Sequence, residues 1–301
     1  FRKEALAEGK KLIDKRFINS NLYCDEETKN PRQKLDHYIF LAEKSSKEGK
    51  KFSKKDLCEY YNWDTKKPII GVFASDYYDG NFECEWWLFK DNLTWLRSTL
   101  EYIKNIKDVN WLVKAHPPLH KKNKKISTKK EFAMIVGSCE HIALFDEKFS
   151  PSSLLNILNL ALSPSGSVGL EYPCFGIPSI TGGGAFFGGF GLTNEPRTQR
   201  EYFACLKNTK NLIKMKLSTD HIEKAIIYYY TCRVLARVNI PLMPSFDTSR
   251  NLDEKKFWLD LTQLIKNYDP SNDYFFKMLR KQIEEKNTHT VDHNQINSLK
   301  I

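Results

Sequence analysis

A chain of 301 residues with 41% hydrophobic and 28% charged residues, 14 Gly and 12 Pro has the composition of a folded globular protein, one large domain or two ordinary ones, and excludes the collagenous and disordered classes. No window of about 20 apolar residues occurs, so no membrane-spanning helix is predicted. The net charge of +10, from 47 Lys and Arg against 37 Asp and Glu, suits an acidic partner such as a nucleotide phosphate, an anionic lipid surface or nucleic acid, and equally describes a merely Lys-rich surface.

The opening Phe-Arg-Lys-Glu-Ala-Leu-Ala-Glu reads as the middle of a helix, not as an export signal, and suggests a segment of a longer chain. Seven cysteines stand without a CxxC pair, as expected of reduced thiols in a cytoplasmic protein with neither a disulfide framework nor a zinc site. Residues 1–66 read as a charged helical leader, too poor in apolar residues for a buried sheet. At Lys66-Lys67-Pro68 the pattern changes: residues 68–74 form a short apolar, β-rich run typical of a buried parallel strand. A helix follows, with Leu93, Leu96, Leu100, Ile103 and Ile106 on one face. Further strands are predicted at residues 109–115, 141–145, 159–162 and 177–180. This strand-then-helix rhythm predicts a doubly wound α/β domain with a parallel, Rossmann-like sheet and flanking helices over residues 67–240. Helices are predicted at residues 221–237 and 252–265. Residues 241–283 are expected to pack back as C-terminal helices, and residues 284–301 to be a polar, disordered tail.

Four stretches could carry chemistry. Residues 163–171, Ser-Pro-Ser-Gly-Ser-Val-Gly-Leu-Glu, join the fourth strand to a helix. Small hydroxyl and glycine residues there let backbone approach a phosphate while the helix start offers amides. Ser165, Gly166 and Ser167 are candidate phosphate ligands, and Glu171 is placed to reach ribose hydroxyls; the plain alternative is helix capping. No Walker loop and no GxGxxG after the first strand are present. Lys114-Ala115-His116-Pro117 closes the second strand, where ligands of open parallel sheets bind, so Lys114 and His116 are candidate donor-binding residues. Pro117 holds His116 extended, and its imidazole could donate to a phosphate or a leaving oxygen. Pro117 and Pro118 also make a helical metal pair of His116 and His120 unlikely, and no metal site is expected.

The third stretch is the Gly-rich run over residues 181–191, six glycines in eleven residues, which reads as a ligand-facing lid including Gly183, with a flexible surface turn as the alternative. The fourth, residues 75–87, follows the first strand with four carboxylates among aromatic residues. Asp76 is its candidate general base, and a solvated turn on Asp79-Gly80 is the alternative. Six lysines between Lys121 and Lys130 could face anionic lipid or simply solvate a loop.

With these residues in view, residues 55–240 resemble the nucleotide-binding, C-terminal half of GT-B glycosyltransferases of the bacterial surface-polysaccharide type, the group of capsule Kdo transferases and polysialyltransferases. The carriers are His116-Pro117, the Ser-rich segment followed by Glu171, and Gly176-Ile177-Pro178 before the last strand. The resemblance implies a metal-independent transfer of a sugar from a CMP-activated donor to a surface polysaccharide or glycolipid. The nucleotide-sugar would be the substrate and no cofactor would be resident. His116-Pro117 and Ser165-Gly166-Ser167 would hold the CMP part, and Glu171 the ribose. It implies a protein at the cytoplasmic face of the membrane, with residues 1–66 the remnant of an acceptor domain. The rival readings are a teichoic-acid-type transferase acting on CDP-glycerol and a non-catalytic nucleotide-binding or scaffold module. Nucleic acid is not an expected partner, since no recognition motif accompanies the charge.

Overall fold

The computed structural model of the chain describes residues 2–17, 49–77, 87–116, 127–214, 216–235 and 254–286. It divides into two compact units, one made of Phe1–Asn19 with Lys44–Tyr229 and the other of Ser20–Glu43 with Tyr230–Ile301.

The first unit is built on β1 (Ile69–Phe73), β2 (Asn110–Lys114), β3 (Ile142–Leu144), β4 (Leu160–Ser163) and β5 (Ser179–Thr181). These pair in parallel throughout in the order β3-β2-β1-β4-β5. The registers Gly71 to Leu112 and Gly71 to Ala161 put β1 at the centre. The architecture is therefore the predicted α/β one. Each strand overlaps its predicted apolar run, although β5 begins at Ser179, after Pro178, whose missing N–H cannot join a ladder.

Period-two alternation sends side chains to two cores. Ile70, Val72, Trp111, Val113, Leu160, Leu162 and Ile180 face one side, which is covered by α3 (Asn92–Ile103), α4 (Thr128–Val136) and α6 (Gln199–Lys207). From α3 come Leu96, Leu100 and Ile103, at the spacing that predicted the helix, together with Trp95. Ile69, Phe73, Leu112, Ala143 and Ala161 face the other side, against Leu57 and Cys58 of α2 (Lys54–Tyr61) and Leu154, Leu158 and Tyr172. A third cluster joins Ile13 and Phe17 of α1 (Arg2–Phe17) to Leu170 of α5 (Val168–Glu171), Phe187, and Ala225 and Ile226 of α8 (Thr219–Tyr230). The short α7 (Thr209–Leu212) follows α6.

The helices start where local chemistry starts them. Ser53 and Asp56 form a capping box on α2, and Asp91, Ser127 and Thr198 accept backbone N–H bonds at the first turns of α3, α4 and α6. Arg97 of α3 holds Glu131 of α4 through Nε at 2.7 Å and Nη2 at 3.0 Å, tying two neighbours on one face of the sheet. In the second unit the described residues form a π-turn at Thr231–Leu235, α9 (Glu254–Lys266) and α10 (Tyr274–Glu284), so the helix expected at residues 221–237 changes character at residue 231. Most of the polar tail lies outside the described residues. Among the described residues the cysteines are free thiols, and no helix is long and apolar enough to cross a membrane.

Candidate functional site at the strand-order reversal

The order 3-2-1-4-5 reverses between β1 and β4, and the crevice beyond the carboxyl ends of those strands is where open parallel sheets bind ligands. β4 ends at Ser163, whose Oγ accepts the Gly166 N–H at 3.0 Å and folds Ser-Pro-Ser-Gly-Ser into a tight turn. The Gly169 N–H to Gly166 O bond (2.9 Å) and the Glu171 N–H to Ser167 O bond (2.8 Å) then begin α5. A Cβ at Gly166 would stand 2.7 Å from Ser163 Oγ and 3.6 Å from Ser75 Oγ, so the turn lies against the end of β1 and only glycine fits without disturbing it.

Ser165, Gly166 and Ser167 are half-buried, and the Ser167 hydroxyl makes no capping bond to α5. The turn can therefore present hydroxyl and amide donors to an anion. α5 spans only four residues before Pro173 opens a 3-10 turn, so the dipole expected of a full helix is small here. The anion-binding capacity rests on the individual donors of the turn.

Across β1, β2 ends at Lys114, whose carbonyl accepts the Ala74 N–H at 3.0 Å. The Lys114 side chain is half-buried, with its ammonium 3.5 Å from the Ala115 carbonyl. Desolvation pulls its pKa from 10.5 down to about 8; the Glu147 charge opposes this and the Arg16 charge adds to it. His116 follows two residues later and is half-buried. Pro117 and His120 lie outside the described residues, so the His-Pro pair is placed by its histidine alone. Most of the lysine-rich loop also lies outside them; Lys129 and Lys130 are exposed in the first turn of α4.

Asp76 sits three residues past β1, half-buried, with its carbonyl accepting Asn92 Nδ2 at 2.8 Å, which fixes its backbone to the start of α3. The neighbouring carboxylates Asp79, Glu83 and Glu85 lie outside the described residues. Glu171 is fully buried, and its Oε1 lies 2.9 Å from Arg16 Nε of α1, itself 12% exposed. A ribose could meet this carboxylate only after it parted from Arg16.

The Gly-rich run is buried and packed over residues 181–184 and exposed at residues 186 and 189–191. A Cβ at Gly182 would run into the Trp95 indole, and one at Gly183 would meet the Trp87 ring at 3.2 Å and the Pro164 carbonyl at 3.6 Å. Phe187 is fully buried against Gly169, and Phe190 stacks on Tyr228, whose hydroxyl donates to the Phe186 carbonyl at 2.8 Å. The Gly189 N–H is held by Glu195 at 2.8 Å. The first part of the expected lid is thus pinned, with Gly182 and Gly183 answering to Trp95 and Trp87, while Gly189 and Gly191 have open space around them and Phe186 and Phe190 are exposed.

Sequence reading missed Arg16, and took Ser75 and Trp87 only as the ends of the fourth stretch, with no role for either. Ser75 was findable as the hydroxyl that closes the first strand, whereas Arg16 carries no local signal. Among the described residues no cluster of three or more His, Cys, Asp or Glu could hold a metal ion.

Neither a protein-family model nor a curated protein matches the chain. Among solved structures, the chain is similar to the β-Kdo 2,4-transferase KpsC of Thermosulfurimonas dismutans at 14% identity and a TM-score of 0.40, over 74% of this chain and 55% of that one. It is also similar to a glycosyltransferase from Rickettsia africae at 13% identity and a TM-score of 0.38, over 71% and 52%. The wall teichoic acid polymerase TagF is similar at 10% identity and a TM-score of 0.37, over 71% and 45%. The chain spans about half the length of these structures.

Proposed function

We infer that the chain is the donor-binding part of a glycosyltransferase, that it holds a nucleotide-activated sugar of the CMP type, and that the sugar passes to a surface polysaccharide or glycolipid. The observation that carries this reading is the Ser163 to Ser167 turn, folded by its own Ser163 bond and set against Ser75 where the strand order reverses. The motif order noted in the sequence, His-Pro and then the Ser-rich turn, supports a cytidine nucleotide.

In this reading Ser165, Ser167 and the amides between them bind the donor phosphate, with His116 and Lys114 on the opposite side of β1. As the sugar–oxygen bond to phosphate breaks, these donors receive the charge that develops on the departing oxygen. Fixed donors in a partly desolvated crevice stabilise that charge without reorganising. The acceptor hydroxyl forms the new bond to the sugar, and Asp76 takes its proton. The surplus of basic residues, +10 over the chain, supports peripheral contact with an anionic membrane at its inner face, where a glycolipid acceptor would lie.

The side of the crevice that carries Lys114 and His116 also suits a diphosphate, which keeps a glycerophosphotransferase acting on CDP-glycerol as the second reading. Calorimetric titration with a CMP-sugar and with CDP-glycerol, followed by assay of donor cleavage in the presence of membranes, separates them. The account expects tighter binding of the CMP-sugar and release of CMP. Preference for CDP-glycerol would move the assignment to glycerophosphate transfer. Binding with neither cleavage nor transfer would favour a non-catalytic module.

A further inference from the structure

Trp87 stands beside the Ser-rich turn and has no task in the reading above. Its backbone forms an isolated antiparallel bridge with Gly183, two residues past β5, and the Gly182 N–H donates to the Ser163 carbonyl at the end of β4, at 2.9 Å. The point a Cβ would take on Gly183 lies 3.2 Å from the Trp87 ring and 3.6 Å from the Pro164 carbonyl. The indole is therefore laid on the loop after β5, next to the Ser163 to Ser167 turn and at the carboxyl ends of the strands. Residue 183 is glycine because the ring takes the space a side chain would fill.

This ring differs from its neighbour in the core. Trp95, the indole against Gly182, is sealed in at 0% exposed, whereas Trp87 is half-buried. A large flat surface left partly in water beside a polar turn is a natural seat for a ligand ring. The Trp87 Nε1, in contrast, is buried and meets no hydrogen-bond acceptor among the described residues. A buried indole N–H usually has a partner, and leaving it without one is a cost that an incoming acceptor removes. A flat face with a spare donor at its edge suits a conjugated ring that carries oxygen and nitrogen acceptors, which is what a nucleobase offers and a bare phosphate does not. The platform is also held still: Leu88 and Phe89 are buried in the first core, and the Leu88 carbonyl accepts Gln199 Nε2 of α6. A ring fixed in advance loses little freedom when a ligand stacks on it.

We propose that Trp87 is the nucleobase platform of the site: the base of the donor stacks on the exposed part of the indole while its phosphate sits on Ser165 and Ser167. This rests on the nucleotide reading and adds an orientation to it. A base on the β5 side of the turn leaves the β1 and β2 side, with Asp76, Lys114 and His116, to the sugar and its acceptor. Gly183 serves the ligand indirectly, by seating the ring.

The test uses the whole chain, with CMP, UMP, AMP and inorganic pyrophosphate as probes. Trp87→Ala removes the platform but also empties the space over Gly183, so Trp87→Phe, which keeps a smaller ring and loses the N–H, is the second variant. Circular dichroism and thermal melting establish that both are folded. The platform predicts that Trp87→Ala binds CMP about tenfold or more weakly than the parent in calorimetry, the loss expected for one stacked base, with pyrophosphate affinity unchanged and Trp87→Phe in between. It also predicts that CMP changes the tryptophan emission of the parent and that most of this change is absent from Trp87→Phe, a signal that a ring used only for packing would not give. Unchanged CMP affinity in the folded variants would overturn the platform and leave the nucleotide reading standing. Equal losses of CMP and pyrophosphate affinity would also overturn it, reducing Trp87 to a support of the turn. Should the parent prefer UMP or AMP, with the same dependence on Trp87, the platform stands and the cytidine reading fails. Should the parent bind pyrophosphate and none of the three nucleotides, both fail.

Discussion

Replacing Lys114 by methionine should stabilise the protein at neutral pH while weakening its hold on phosphate. The ammonium at the end of β2 is charged in a place that disfavours charge: its pKa falls from 10.5 to about 8, first through desolvation and further through Arg16, against the opposing Glu147. A displacement of that size corresponds to ~3 kcal/mol of differential interaction between the two protonation states, and partial solvent access reduces it to about 2–3. The sign follows from proton counting. Between pH 8 and 10.5 the unfolded chain holds the lysine proton and the folded chain has lost it, so stability rises with pH through that window. The full penalty is present below pH 8 and is relieved toward pH 10.5. Methionine fills a similar volume without charge and escapes the penalty. Urea denaturation of both proteins should therefore show Lys114→Met more stable by about 2–3 kcal/mol at pH 7, with the advantage shrinking to about 1 kcal/mol at pH 10. A variant that is less stable at pH 7, or whose advantage does not change with pH, would refute the reasoning. Loss of phosphate affinity in the same variant would identify the strain as functional, a stability sacrificed where an anion is to be bound.

Two further outcomes follow from the packing. Gly182→Ala drives a Cβ into the buried Trp95 indole and should cost about 3 kcal/mol in urea unfolding, whereas Gly189→Ala, at φ +83° with open space around it, should cost only about 1 kcal/mol; equal costs would argue against a pinned loop. Arg97→Ala removes both donors from the buried Glu131 carboxylate and should lower stability by about 1–3 kcal/mol, measured as a fall in Tm, and an unchanged Tm would show that Glu131 is rescued by water.

The sheet was legible because each strand is a short apolar run bounded by Pro, Gly or polar residues, and burial on both faces demands that pattern. Helix α3 was legible through its 3.6-residue periodicity. The Ser-rich turn was legible because a strand that must end in a tight turn selects Ser, Pro and Gly. Its helix was overestimated, since Pro173 cuts it to one turn. Glycine density at residues 181–191 had two possible causes, mobility or close approach, and composition does not separate them. Trp95 and Trp87 supply the close approach at Gly182 and Gly183, whereas Gly189 and Gly191 have open space around them. The Arg16–Glu171 pair was illegible for another reason: it joins a charged helix that reads as a leader to a carboxylate that reads as a ribose ligand, and long-range pairing of this kind leaves no periodic trace.

The central claim, a cytidine-nucleotide site at the reversal of strand order, is tested most directly by calorimetric titration of the chain with CMP, CDP, UDP and ADP, repeated on His116→Ala and Ser167→Ala. The account predicts selective binding of a cytidine nucleotide, weakened about tenfold by each substitution without loss of folding. Binding of none of the four, or cytidine-nucleotide binding that neither substitution weakens, would contradict it.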